Sequence, residues 1–532
     1  AVARVASRGA GLIAGAALAL MPVAALMFRF NNPDAVMVLL MTAGAYCTIR
    51  ALRNAQPRWL LLAGVALGFA FLAKMLEGLM VLPALGLAYL IVAPTTVRKR
   101  IVHLLGAAAT LVISSGWYVL LTLLWPAATR PYLAGSTDNN FMNLVLGYNG
   151  LARVLGRSKS GGGAPSGHPA GAAASQLAGR AHGGGFGGMG SQAGITRLFT
   201  GEIGFEISWL LPAALLAIVL VFVARGRRPR TDLIRGAAIV FAGWLVVDGL
   251  VLSFMNGTMH AYYTLAIAPA IAGVIGLAAH EMWRLRDRAL GRFGSAALVL
   301  AAGVWGFVLL QRNSSWMPWL CWTILAVTVV AALGVIATGL PALRRLTAVL
   351  LITGVIAGLG GSAAYAAATI TTAHTGGSPS VGPASTSQTM GGFGGQSADN
   401  PQLDSLLEQT VTRWSAAIDN SSPAASLELA SDSSVMAIGG FSNDPTPTLS
   451  QFIDYVKAHQ VNYYVVQNNA KGGPGAAGKT GSAAKGAPAT AGQSGKGGAN
   501  SVGSQIGAWV AANFKPMTVG SATVYDLSIY NG

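Results

Sequence analysis

The sequence predicts a polytopic α-helical membrane protein with a small α/β domain at its C-terminal end. Three observations predict it. The 532 residues are 53% hydrophobic and only 10% charged, where a soluble globular chain carries about 25% charged residues. Apolar runs of membrane-crossing length recur as far as residue 370, and the basic residues gather in alternate loops between them. The net charge of +17 would suggest nucleic acid in a soluble protein. Here it sits in short inter-span loops, so it reports topology and excludes nucleic acid as a partner. Cys47 and Cys321 both fall inside apolar runs, which excludes a disulfide framework. The chain opens on Ala1 directly into a helix-like run, with no signal peptide, as a processed or truncated chain would.

Eleven segments are expected to span: Gly9–Phe28, Ala35–Leu52, Trp59–Ala73, Met75–Val92, Ile101–Leu124, Phe205–Ala224, Gly236–Met255, Thr264–Ala279, Ser295–Leu310, Trp316–Thr338 and Leu346–Ile370. The third and fourth share one apolar stretch interrupted by Lys74-Met75-Leu76-Glu77. Its 34 residues against about 20 for a single crossing favour a hairpin.

Orientation follows from charge. With Arg4 and Arg8 inside, alternate loops hold Arg50, Arg53, Arg58, Arg98, Lys99, Arg100, Arg225, Arg227, Arg228, Arg230, Arg235, Arg284, Arg286, Arg288, Arg292, Arg344 and Arg345. That makes 19 basic residues, against Arg29, Lys74 and Arg312 in the short loops opposite. The positive-inside rule then places the Asp34 hairpin, residues 125–204 and everything after residue 370 outside the cytoplasm.

The expected organisation is a membrane domain over 1–370, a linker over 371–399 and an α/β domain over 400–532. Within loop 125–204, residues 159–194 are Gly/Ala/Ser-rich, as is the insert 468–503, and both are expected to be disordered. In the tail, Leu403–Val411, Leu449–Ala458 and Gln505–Phe514 have helical patterns, and Ser434–Ile438, Val461–Val466 and Thr523–Leu527 read as strands. Their alternation suggests a mainly parallel sheet. No glycine fingerprint for phosphate opens its helices.

Ionisable groups at membrane depth are functional candidates. The outer side carries Asp34, Glu77, Asp138, Glu202 and Glu206; Asp248 lies within a span, and Asp232, Glu281 and Asp287 lie on the cytoplasmic side. Phe28–Ala35 (FRFNNPDA) packs Arg29, Asn31, Asn32 and Asp34 into one polar bend between two apolar runs. Asp34 is either a helix N-cap or a site carboxylate. Lys74 and Glu77, three apart, either pair with each other or present the lysine to an anionic headgroup. His260 is a solvated loop histidine, a general base or a phosphate partner. Tyr262 and Tyr263 beside it are interface anchors or hydrogen-bond donors to a lipid phosphate. No P-loop, zinc helix or Ser/His/Asp arrangement occurs, and a divalent metal ion is left open as a cofactor.

FRFNNPDA, Phe71–Pro83 (FLAKMLEGLMVLP), Tyr148-Asn149-Gly150 and His260–Pro269 (HAYYTLAIAP) together resemble bacterial glycosyltransferase family 39. These are the protein mannosyltransferase and aminoarabinose transferase-like enzymes of the GT-C fold, here closest to an actinobacterial group with glycine-rich loops. Ser434–Phe441 (SVMAIGGF) and Val461–Val466 are similar to that group's extracytoplasmic C-terminal domain. The resemblance implies inverting transfer of mannose or a related sugar from a polyprenyl-phosphate donor. The acceptor would be a protein, lipid or glycan on the outer face of the plasma membrane. It implies a catalytic role for Asp34, and substrate contacts for Arg29, Asn31, Asn32, Lys74, Glu77, Asp138, His260, Tyr262 and Tyr263. It also implies thirteen spans, so a further helix pair bearing the principal catalytic carboxylate is expected upstream. A transporter or lipid flippase is the rival class, but no inverted repeat supports it.

Overall fold

The computed structural model describes residues 1–127, 129–136, 138–148, 192–256, 259–374, 378–383, 400–466 and 501–530. The two glycine-rich stretches expected to be disordered lie almost wholly outside these residues. The chain divides into two compact units: Ala1–Leu124 with Val145–Ser158 and Arg180–Gly391, and Trp125–Leu144 with Lys159–Gly179 and Gly392–Gly532.

The first unit is a helical bundle. Its main helices are α1 (Arg8–Ala19), α2 (Asp34–Asn54), α3 (Pro57–Lys74), α4 (Leu82–Val92), α5 (Val97–Leu124), α6 (Leu211–Arg225), α7 (Leu233–Phe254), α8 (Ala268–Arg284), α9 (Ala289–Gln311), α10 (Pro318–Ala337) and α11 (Thr347–Thr371). Among the described residues nine helical stretches are long and apolar enough to cross a membrane, and α1 and α4 are shorter apolar helices. Each expected span has its counterpart. The first differs in being broken after Ala19: Pro22, which has no N–H to continue the ladder, opens a separate short helix, Pro22–Met27.

Burial orders the bundle. In the stretch ending in α8, 89% of the apolar window is buried, against 6% in α5. The former is central. The latter exposes Leu105, Val112, Ile113 and Leu124, each more than 60% accessible; such a surface is stable when lipid is its solvent. Helices α3 and α5 pack through small residues. A Cβ on Gly64 would collide with Ala107 and Thr110, and one on Gly68 with Ser114. Thr110 Oγ1 donates to Leu61 O at 2.9 Å and Ser114 Oγ to Val65 O at 3.3 Å. Close backbone approach sealed by hydroxyls is how helices associate where no hydrophobic force drives them together.

At the arginine-rich end, buried Glu281 accepts from Arg225 and from Arg284 at 2.8 Å, and Asp232 lies 3.3 Å from Arg225. These carboxylates neutralise topogenic arginines. Arg100 is satisfied instead by carbonyls, Leu90 O at 2.6 Å and Thr95 O at 2.7 Å.

The second unit contains a five-stranded sheet: β1 (Trp414–Asp419), β2 (Val435–Ile438), β3 (Val461–Val466), β4 (Pro516–Val519) and β5 (Ala522–Asp526), in the order β2-β1-β3-β5-β4. The β1–β2 and β1–β3 pairs are parallel; β3–β5 and β4–β5 are antiparallel. The expected parallel character therefore holds for half the sheet. Beyond β3 the last two strands form a hairpin through Gly520 at φ +58, and a hairpin is antiparallel by construction. Strand β1, helix Ser421–Ser431 and β4 were not expected. Ala416 and Ala417 are buried on opposite faces, so β1 carries no polar–apolar alternation. Loop residues Trp125–Leu144 cluster with this unit: Gly135 N–H donates to Asp444 Oδ2 at 2.9 Å. Burial raises the Asp444 carboxyl, and that bond opposes the rise.

Candidate active site

Polar turns at one end of the first unit converge on one lysine. Helix α2 opens at Asp34, with Pro33 at the cap position and no side-chain cap of its own. The N-cap alternative for Asp34 therefore fails. Asn32 does the local work instead, its Oδ1 accepting from Asp34 N–H at 2.9 Å. That leaves the Asp34 carboxylate, fully buried, to face Lys74 Nζ at 2.6 and 2.8 Å.

Lys74 is the last residue of α3. The helix stops because Met75 adopts φ 48, a region that costs a non-glycine residue about 1–3 kcal/mol. A tight 3-10 turn, Met75–Leu79, follows. It folds back so closely that a Cβ on Gly78 would lie 2.6 Å from Ala70 O. The fold-back brings Glu77 Oε2 to 3.0 Å from Lys74 Nζ. One cation thus serves two carboxylates, with side-chain exposures of 10% for Lys74, 0% for Asp34 and 16% for Glu77.

The third wall is a second 3-10 turn, Ala261–Ile267, which leads into the central helix α8. Lys74 Nζ lies 3.9 Å from the centroid of the Tyr263 ring and 5.5 Å from that of Tyr262. His260 stacks on Tyr262, centroids 5.3 Å apart, and meets Tyr263 edge-on. Its Nδ1 lies 2.8 Å from Ser378 Oγ. The arrangement offers a positive centre braced by aromatic faces beside two carboxylates, which suits a phosphate next to a hydroxyl that must lose a proton.

The remaining candidates fall elsewhere. Arg29 is exposed and donates to Ile370 O at 2.8 Å, tying the bend to the end of α11. Asn31 is exposed at the bend. Asp138 belongs to the second unit, where its Oδ1 accepts from Asn140 N–H at 3.1 Å. Asp248 is fully buried and accepts from Trp244 Nε1 at 2.9 Å. Glu206 is fully buried with no hydrogen-bond partner for either oxygen among the described residues. Among those residues no three His, Cys, Asp or Glu side chains form a group able to hold a metal ion.

Two contributors escaped the sequence. Ser378 sits in the stretch expected to be linker, and nothing marks it there. Arg197 is buried beside the His260 turn and donates to the carbonyls of Leu252 at 3.1 Å and Met255 at 2.7 Å. It thereby caps the C-terminal end of α7. A lone arginine just before a span was its signal.

Comparison with known proteins bears on the chain as a whole. Residues 1–119 match the family described as dolichyl-phosphate-mannose-protein mannosyltransferase, and residues 403–484 that described as "Putative mannosyltransferase YkcB-like, C-terminal". "Putative mannosyltransferase YkcB" of Bacillus subtilis (strain 168) is 28% identical over 540 residues, 87% of this chain and 75% of that protein. "Putative mannosyltransferase YycA" of the same organism is 28% identical over 550 residues, covering 87% and 77%. The chain is a membrane glycosyltransferase. These matches bear out the resemblance read from the sequence and do not favour a transporter or flippase. ArnT from Cupriavidus metallidurans aligns with 99% of the glycosyltransferase and 80% of its own chain. Bound to undecaprenyl phosphate it gives a TM-score of 0.47 at 14% identity; in the apo state it gives 0.44 at 15%.

Proposed function

We propose that the enzyme moves mannose or a related sugar from a polyprenyl-phosphate donor to an acceptor at the extracytoplasmic face of the plasma membrane, with inversion. The observation that carries this reading is the Asp34–Lys74–Glu77 cluster against Tyr262 and Tyr263. It lies at the bundle end away from Arg53 and Arg284, in a chain whose N-terminal residues match a family named for a dolichyl-phosphate sugar donor.

In a single displacement, the acceptor oxygen bonds the anomeric carbon and the carbon–oxygen bond to phosphate breaks. The proton passes to a carboxylate, and the polyprenyl phosphate leaves with the bonding pair. Lys74 meets the charge that grows on that phosphate, and His260, Tyr262 and Tyr263 line its approach. Asp34 suits the part of a positioning anion better than that of the sole base, because both its oxygens are engaged by Nζ and its side chain is fully buried. We give the part of base to Glu77, whose side chain is 16% exposed against 0% for Asp34.

The test is transfer of radiolabelled sugar from a polyprenyl-phosphate sugar in membranes. Wild type should transfer, and Asp34→Asn and Lys74→Met should each lose at least about a hundredfold, the low end for groups acting directly on the transition state. Unchanged transfer in both variants would remove the cluster from the active site.

A further inference from the structure

The opposite end of the bundle holds a second site. A pocket of about 40 Å³, open to solvent, is lined by Arg4, Val5, Ile49, Arg50, Arg53 and Leu233. Three arginines and three aliphatic residues line one concavity, and no carboxylate lines it. Topology alone does not account for this. Positive-inside selection asks only for basic residues in the loops, whereas here three of them line one concavity; at the same end Arg225 and Arg284 are held on Glu281, Arg100 on backbone carbonyls and Arg230 on Ile91 O. The side chains of Arg4 and Arg53 make no hydrogen bond or ion pair to protein among the described residues. Arg50 is fixed, its guanidinium 4.5 Å from the centroid of Trp59 and 3.3 Å from Tyr46 Oη.

We propose that this pocket binds a phosphate group, seated among Arg4, Arg50 and Arg53. Guanidinium forks match phosphate oxygens two at a time, and Val5, Ile49 and Leu233 supply an apolar wall along which an acyl chain can lie. Basic pockets between membrane helices on the cytoplasmic side hold anionic headgroups in this way. The phosphate belongs either to an anionic lipid of the facing leaflet or to a soluble phosphate, and the two are separable. This inference is independent of the sugar-transfer site.

The test uses the full chain in nanodiscs of phosphatidylcholine, read by thermal unfolding and by lipid retention in native mass spectrometry. The probes are phosphatidylglycerol doped into the disc and inorganic phosphate added to the buffer. The variants are Arg4→Gln/Arg53→Gln and, as a control of equal charge on the same face, Arg98→Gln/Lys99→Gln. Phosphatidylglycerol should stabilise wild type and be retained by it. The pocket variant should bind it about 25-fold more weakly, about fivefold for each arginine removed, and the control should bind it as wild type does. Stabilisation by inorganic phosphate alone, lost in the pocket variant, would assign the site to a soluble phosphate. No effect of either probe, or equal loss in the control, would overturn the proposal.

Discussion

Replacing Lys74 by methionine keeps the length of the side chain and removes the charge that two carboxylates share. Asp34 Oδ1 lies 2.6 Å and Glu77 Oε2 3.0 Å from Nζ, with Asp34 fully buried. Two unit charges 4 Å apart attract by about 4 kcal/mol at an effective dielectric of about 20. Desolvation cancels much of that when the pair forms, but when one partner is deleted the other remains buried and uncompensated. The expected loss of stability is therefore about 3–5 kcal/mol, to which the lost Lys74–Tyr263 contact adds about 1 kcal/mol. Adding Asp34→Asn in the Lys74→Met background removes one stranded charge, with Glu77 still in place, and should restore about half of the loss, about 2–3 kcal/mol. Reversible unfolding in mixed detergent micelles measures all four corners of this cycle. A Lys74→Met variant within about 0.5 kcal/mol of wild type, or no rescue by Asp34→Asn, would refute the buried triad.

Three further outcomes follow from the same structure. Gly68→Val pushes two methyl groups into Ser114 and should destabilise the α3–α5 pair by about 1–3 kcal/mol, while Gly9→Val, where nothing lies within 4 Å, should cost under about 1 kcal/mol. Burial raises the Asp419 carboxyl to about 6. A raised acid holds its proton in the folded state, so the second unit should lose stability as pH climbs from about 4 to 6 and stay level above. Asp419→Asn should stabilise it by about 2–3 kcal/mol at pH 8 and hardly at pH 4, as read by the unfolding transition of the full chain at both pH values. Arg197→Met leaves the carbonyls of Leu252 and Met255 without their donor and should cost about 1–3 kcal/mol, visible as faster hydrogen exchange at the end of α7.

What the sequence determined was whatever depends on local pattern. A run of about twenty apolar residues crosses a bilayer wherever it is placed, so nine of the eleven expected segments were legible as helical stretches of spanning length among the described residues, while α1 and α4, the latter in the hairpin around Lys74–Glu77, form shorter apolar helices. Ionisable residues near a membrane are conspicuous because they are expensive, so Asp34, Lys74, Glu77 and His260 stood out before any contact was known. Tertiary structure decided the partnerships. That Lys74 would pair with Asp34, forty residues earlier, as well as with Glu77 depends on the angle at which α3 meets α2 and on the φ of Met75. Neither is written in spacing. Ser378 is one serine in a Gly/Ser/Pro stretch, and only the return of the chain past α11 sets it against His260. In the second unit the strand β1 was invisible and β5 runs against the other four strands, which makes two of the four strand pairs antiparallel, because a strand buried on both faces shows no period and direction is set by the connection rather than by the strand. Local physics chose the elements and the costly residues; packing chose which of them meet.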